Sequence, residues 1–218
     1  VLLLRGPGLD PAPADVLIQA DGTIAAIGAA ALEGAADLGL TPVDASGWLM
    51  GPALVDPHSL LEDPHSGVAE TLASLERSAV AAGYGTVALL PQARRWRDCP
   101  ETLGLPPRHS ALELPLWGSL SRGGAGQELA PHADQLAAGA IGLAEGPQTP
   151  PLPLLERALA LGEMGDAPVL LAVRDCALSQ QGFVRDCVET LRAGWPGDPA
   201  ISETLPLQGL LALQALHP

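Results

Sequence analysis

The chain has 218 residues, 47% of them apolar and 17% charged, with a formal net charge of -14. That composition is globular, and the length allows one large or two modest cores. All 11 basic residues are arginine, which excludes Schiff-base chemistry, a phosphate-loop lysine and a carbamylated lysine between metals, while an acidic surface without a basic stripe speaks against nucleic acid. The first elements in chain order are short and extended. Val1–Leu4 is an apolar run, and the runs at 14–19 and 23–28 flank Asp21-Gly22 as a hairpin does. Residues 43–50 read as a further strand pair about a Ser-Gly turn. A β-rich side domain over residues 1–50 is therefore expected.

From residue 51 onward the pattern alternates. Apolar runs at 53–55, 86–90, 114–120, 141–144 and 169–173 read as buried strands. Helical stretches at 67–82, 128–138, 152–162 and 183–193 separate or follow them, with a further helix from Leu210. Short strands alternating with helices imply right-handed βαβ units and a parallel sheet. About five such units are legible, where a closed (β/α)₈ barrel has eight. The expected fold is thus a TIM-barrel type of which residues 51–218 form the first part, read as a fragment or a truncated protein.

The segment Gly51-Pro-Ala-Leu-Val-Asp-Pro-His-Ser-Leu-Leu-Glu62 resembles the dihydroorotase branch of the amidohydrolase superfamily, whose first barrel strand ends in Asp-Pro-His-x-His-Leu-Arg. The likeness continues through Asp21-Gly-Thr-Ile-Ala-Ala-Ile-Gly28, Gly83-Tyr-Gly-Thr-Val-Ala-Leu-Leu-Pro91, Gly139-Ala-Ile-Gly-Leu-Ala-Glu-Gly146 and Gly194-Trp-Pro-Gly-Asp-Pro199. The resemblance implies zinc, a metal-activated water and hydrolysis of a cyclic amide. It puts His58 and Glu145 at metal positions and Gln92 where an asparagine holds the substrate carboxylate. It also puts Leu60 and Ala172 where metal histidines stand, and Glu62 where the substrate-clamping arginine stands. A leucine and an alanine donate nothing to an ion, and a glutamate repels a carboxylate. The resemblance therefore implies a dihydroorotase-like protein of pyrimidine biosynthesis that is catalytically silent and binds no zinc. Its suggested role is to pack against aspartate transcarbamoylase or a second copy of itself. A working cyclic amidohydrolase with a rebuilt site is the alternative.

Other residues also offer candidate sites. His58 reads as a strand-end residue or a relic ligand, and Asp56 as a turn residue before Pro57. A rearranged cluster of Asp56, His58, Asp63 and His65 is conceivable. The glycine-rich run 121–128 lacks Gly-Lys-Ser/Thr and reads as a loop. Arg94-Arg-Trp-Arg97 is the only basic cluster and reads as a solvated loop, with partner or anion binding as the alternative. Cys99, Cys176 and Cys187 form no C-x-x-C pair and no apolar run reaches the roughly 20 residues of a membrane span, so a reducing cytoplasm is expected. The lack of lysine and asparagine suggests a GC-rich bacterial gene.

Overall fold

A computed structural model describes residues 1–9, 12–61, 70–105 and 112–217. Glu62, Asp63, His65 and the start of the helix expected from residue 67 lie outside them. The chain forms two compact units, Val1–Ala53 and Leu54–Pro218.

In the first unit β1 (Leu2–Arg5), β2 (Val16–Ile18), β3 (Ile24–Ile27) and β4 (Val43–Asp44) form one sheet in the order β3-β2-β1-β4. The β2–β3 hairpin turns where expected. Asp21 Oδ1 accepts from the Thr23 amide and hydroxyl, and Gly22 takes the left-handed φ of 86° that the turn needs. Two features differ from the sequence reading. β4 pairs parallel with β1, and Leu49 bridges Gly8, so residues 43–50 do not fold on themselves. A helix, α1 (Ala29–Asp37), lays Ala31 and Ala35 on Leu3 and Leu17. Its alanine- and glycine-rich sequence carries too weak an apolar stripe to be read directly.

The second unit is a parallel sheet in chain order. β5 (Leu54–Ser59) pairs with β6 (Tyr84–Leu89). Residues 113–120 run beside β6 through the Thr86–Glu113 and Leu89–Leu116 bridges, and their far end is β7 (Gly118–Ser119). β7 pairs with β8 (Leu143–Ala144), and β8 with β9 (Val169–Leu170). Helices α2 (Leu72–Ala81), α3 (His132–Ala137) and α4 (Leu152–Leu161) follow their strands. Thr71 and Ser74 form a reciprocal capping box at the start of α2, and Gly162 ends α4 at φ 65°. Most of the core lies on the helix-bearing face of this sheet, and Ala88, Trp117 and Ala144 pack on the other. Val87, Leu89, Leu114 and Leu116 pack with α2, while Leu120, Leu143, Leu155, Ala158 and Met164 pack about α4. Among the described residues β5 and β9 each pair on one side only, and no closed barrel is present.

The remainder is α5 (Cys176–Ser179), β10 (Val184–Arg185), α6 (Val188–Ala193), β11 (Gly197–Asp198) and α7 (Ile201–Leu216). The single helix expected over 183–193 is split, because Val184–Arg185 pairs with Gly197–Asp198 and Cys187 starts a new helix. α7 begins nine residues before Leu210 and carries Pro206 in its second turn. Among the described residues no helix is long and apolar enough to cross a membrane.

Candidate functional site

In a parallel α/β sheet, loops at the carboxyl ends of the strands carry the chemistry. Here those ends present His58, Gln92, Ser121, Glu145 and Ala172. Asp56 organises the end of β5 by accepting from the His58 amide at 3.0 Å and the Ser59 hydroxyl at 2.5 Å. The turn reading of Asp56 therefore fits its contacts. His58 itself is exposed, and Leu60 beyond it is 54% exposed.

Glu145, at the end of β8, is only 5% exposed. Its Oε1 accepts from the Ser121 hydroxyl at 3.0 Å and from the Gly146 amide at 3.2 Å. Ser121 Oγ in turn accepts from the Gly126 amide at 2.9 Å, which fixes the hydroxyl's direction. The other carboxyl oxygen, Oε2, has no partner. Both donors thus fall on one carboxyl oxygen, and the other is buried without a partner. Burial pushes the Glu145 carboxyl above its ordinary range; the Ser121 and Gly146 bonds and the His132 charge oppose the rise. A carboxyl with a raised folded value holds its proton more tightly when folded. Its contribution to stability is therefore full below the unfolded value and is lost as pH rises through the folded one. Chemical denaturation at stepped pH should show Glu145→Gln gaining stability relative to the parent as pH climbs above 4.5. A difference that does not change with pH would contradict the raised value.

Gln92, after β6, joins this group. Its Nε2 donates to the Glu145 main-chain oxygen at 3.4 Å, while its Oε1 is buried without a donor. The structure thus brings Gln92 and Glu145 together. Ala172, after β9, only offers its carbonyl to the Thr149 hydroxyl at 2.7 Å.

Sequence reading missed two parts of the site. Arg97 is not solvated: it is 2% exposed, and its Nη1 donates to the Leu90 carbonyl at 2.5 Å. Burial lowers its pKa from the ordinary value. His132 is also buried, with Nε2 at 2.7 Å from the Leu120 carbonyl. Neither residue announces itself locally, since an arginine cluster and a helix-start histidine both default to solvent.

Beyond Glu145 lies a cleft of about 840 Å³, bordered by Thr149, Arg174, Asp175, Leu205 and Pro206. Arg174 pairs with Asp198 at 3.0 Å, and Asp175 caps α5 through the Ala177 and Leu178 amides. Cys176 also lines the cleft and is exposed. Zinc needs at least three protein donors in fixed geometry. Leu60 and Ala172 supply none, and Glu145 already spends one oxygen on Ser121 and Gly146. Among the described residues no three His, Cys, Asp or Glu side chains are grouped closely enough to hold an ion. The described residues do not fit a zinc centre.

The fold matches a known architecture. It superimposes on L-hydantoinase (dihydropyrimidinase) from Arthrobacter aurescens with a TM-score of 0.63 at 18% identity, over 99% of this chain and 51% of that one. The fold is that of the amidohydrolase superfamily. A probable dihydroorotase-like protein of Synechocystis sp. is 30% identical over 190 residues, covering 76% of this chain and 43% of its own length. A dihydroorotase of Solibacter usitatus is 27% identical over 226 residues, covering 99% of this chain and 51% of its own. The chain belongs to the dihydroorotase-like proteins of that superfamily, and it spans about half the length of the curated relatives it matches. No family model matches it.

Proposed function

We propose that this chain is a dihydroorotase-like protein of pyrimidine biosynthesis that lacks hydrolytic activity and serves by packing against another enzyme, with aspartate transcarbamoylase as the partner. The observation that carries the proposal is the donor set at the strand ends. Leu60 and Ala172 offer no ligand, and Glu145 is buried with one oxygen engaged by Ser121 and Gly146. Without a cation, neither water activation nor polarisation of an amide carbonyl is available to the usual mechanism. The retained parallel sheet and its core support a role for the scaffold itself.

Metal analysis after incubation with zinc, together with a dihydroorotate hydrolysis assay, tests the chemical half of this reading. The expected result is substoichiometric zinc and no turnover. Stoichiometric zinc with hydrolysis would establish instead a cyclic amidohydrolase with a rebuilt site. Gel filtration of an equimolar mixture with aspartate transcarbamoylase tests the partner, and two separate peaks would count against it.

A further inference from the structure

We propose that residues 92–98, which follow β6, form a strap that opens as a unit while the sheet beneath stays folded. Two contacts tie it to the loops that follow the neighbouring strands. Asp98 Oδ2 accepts from the Gly123 amide at 2.8 Å, and this bond clasps the strap to the loop after β7. The Trp96 ring lies flat against Gly124, so that a Cβ placed there would sit 2.1 Å from the ring, and it reaches within 3.8 Å of the equivalent point on Gly146. Gly124 also has a φ of 62°, which keeps that surface free of a side chain. The strap therefore crosses the carboxyl ends of β7 and β8, directly beside Glu145.

A second observation makes this strap an opening element rather than ordinary packing. Among the described residues, the buried side-chain nitrogens and oxygens without a hydrogen-bond partner are Gln92 Oε1, Arg97 Nη2 and Glu145 Oε2. Two belong to the strap and the third lies beside it. Each such atom is destabilising in the closed state and is relieved by contact with water or a polar ligand. The closed state thus concentrates its polar frustration in one place. Segments of that kind populate the low end of a protein's local stability, where binding lids are found. Opening would uncover Gln92, Arg97 and Glu145 together. The proposal stands whether or not the chain hydrolyses anything, so its failure and that of the functional reading are separate events.

Residue-resolved amide hydrogen exchange on the intact chain tests it. The Arg97 amide donates to the Pro91 carbonyl, whereas the Val87 and Leu89 amides donate across the sheet to Glu113 and Pro115. The Arg97 amide is expected to exchange at least about tenfold faster than those two under native conditions. Asp98→Ala leaves the Pro91 acceptor in place, yet it should accelerate Arg97 by about a further tenfold, as loss of one charge-assisted hydrogen bond would. Val87 and Leu89 should not change. If Asp98→Ala fails to fold, Gly124→Ala, which pushes the Trp96 ring away, should give the same selective acceleration. Equal protection of Arg97, Val87 and Leu89 in the parent would overturn the proposal. So would fast exchange at Arg97 that neither variant alters.

Discussion

Gly142→Ala is expected to destabilise the second unit by about 4 kcal/mol, near the upper end for overpacking. Gly142 enters β8 between two fixed surfaces. A Cβ there would lie 2.5 Å from the Pro168 carbonyl oxygen and 2.6 Å from a Trp117 ring carbon. Neither can give way cheaply. The Pro168 oxygen accepts from the Leu143 amide, and the Trp117 indole is tied to the Pro57 carbonyl at 2.8 Å. Relief would separate β8 from β9 or uncouple Trp117 from the end of β5. Urea denaturation measures the effect, with Gly139→Ala as the comparison. Gly139 has open space around it but a φ of 101°, so alanine there carries only a backbone penalty of about 1 kcal/mol. Equal losses in the two variants would show that close approach at Gly142 is not what matters.

Leu89→Ala should cost about 3 kcal/mol, and Val55→Ala on the neighbouring strand less than about 0.5 kcal/mol. The two residues sit on adjacent parallel strands, but their surroundings differ completely. Leu89 is fully buried among Leu61, Leu72, Leu112, Leu114 and Leu116. Val55 is 63% exposed. The contrast follows from position in the sheet, since among the described residues β6 is covered and paired on both sides whereas β5 is paired on one. Thermal and chemical denaturation of both variants would check it. A Val55→Ala loss as large as that of Leu89→Ala would mean that β5 is covered in solution.

The order of the parallel strands was readable because apolar runs of strand length, separated by turn residues, leave little choice of period. The first hairpin was readable for the same reason, with Asp21-Gly22 marking its turn. The dihydroorotase-like motif was readable from Asp56-Pro-His58 and its surroundings. The state of the site was not. Ser121, Gly126 and Gly146 combine to engage one oxygen of Glu145, and only folding brings those partners together across 24 residues of chain. Arg97 was misread because burial of a guanidinium depends on the Leu90 carbonyl and on Trp96 closing against a glycine from the next loop. The split of the 183–193 helix had a local cause, since Cys187 and Thr190 form a capping box that starts α6 anew. Cysteine is not a residue normally read as a helix start.

Among the described residues, the side of β5 away from β6 is unpaired, and the sequence there limits strand addition. An edge that shows Leu54 and Val55 to solvent is a template for intermolecular strand addition. Two residues after Val55 the template fails: Pro57 contributes no amide hydrogen, and the pairing register slips between Asp56 and Ser59. A foreign strand laid along this rim would find a ladder broken at its midpoint. The Asp-Pro-His turn thus disfavours continuous strand addition along this rim.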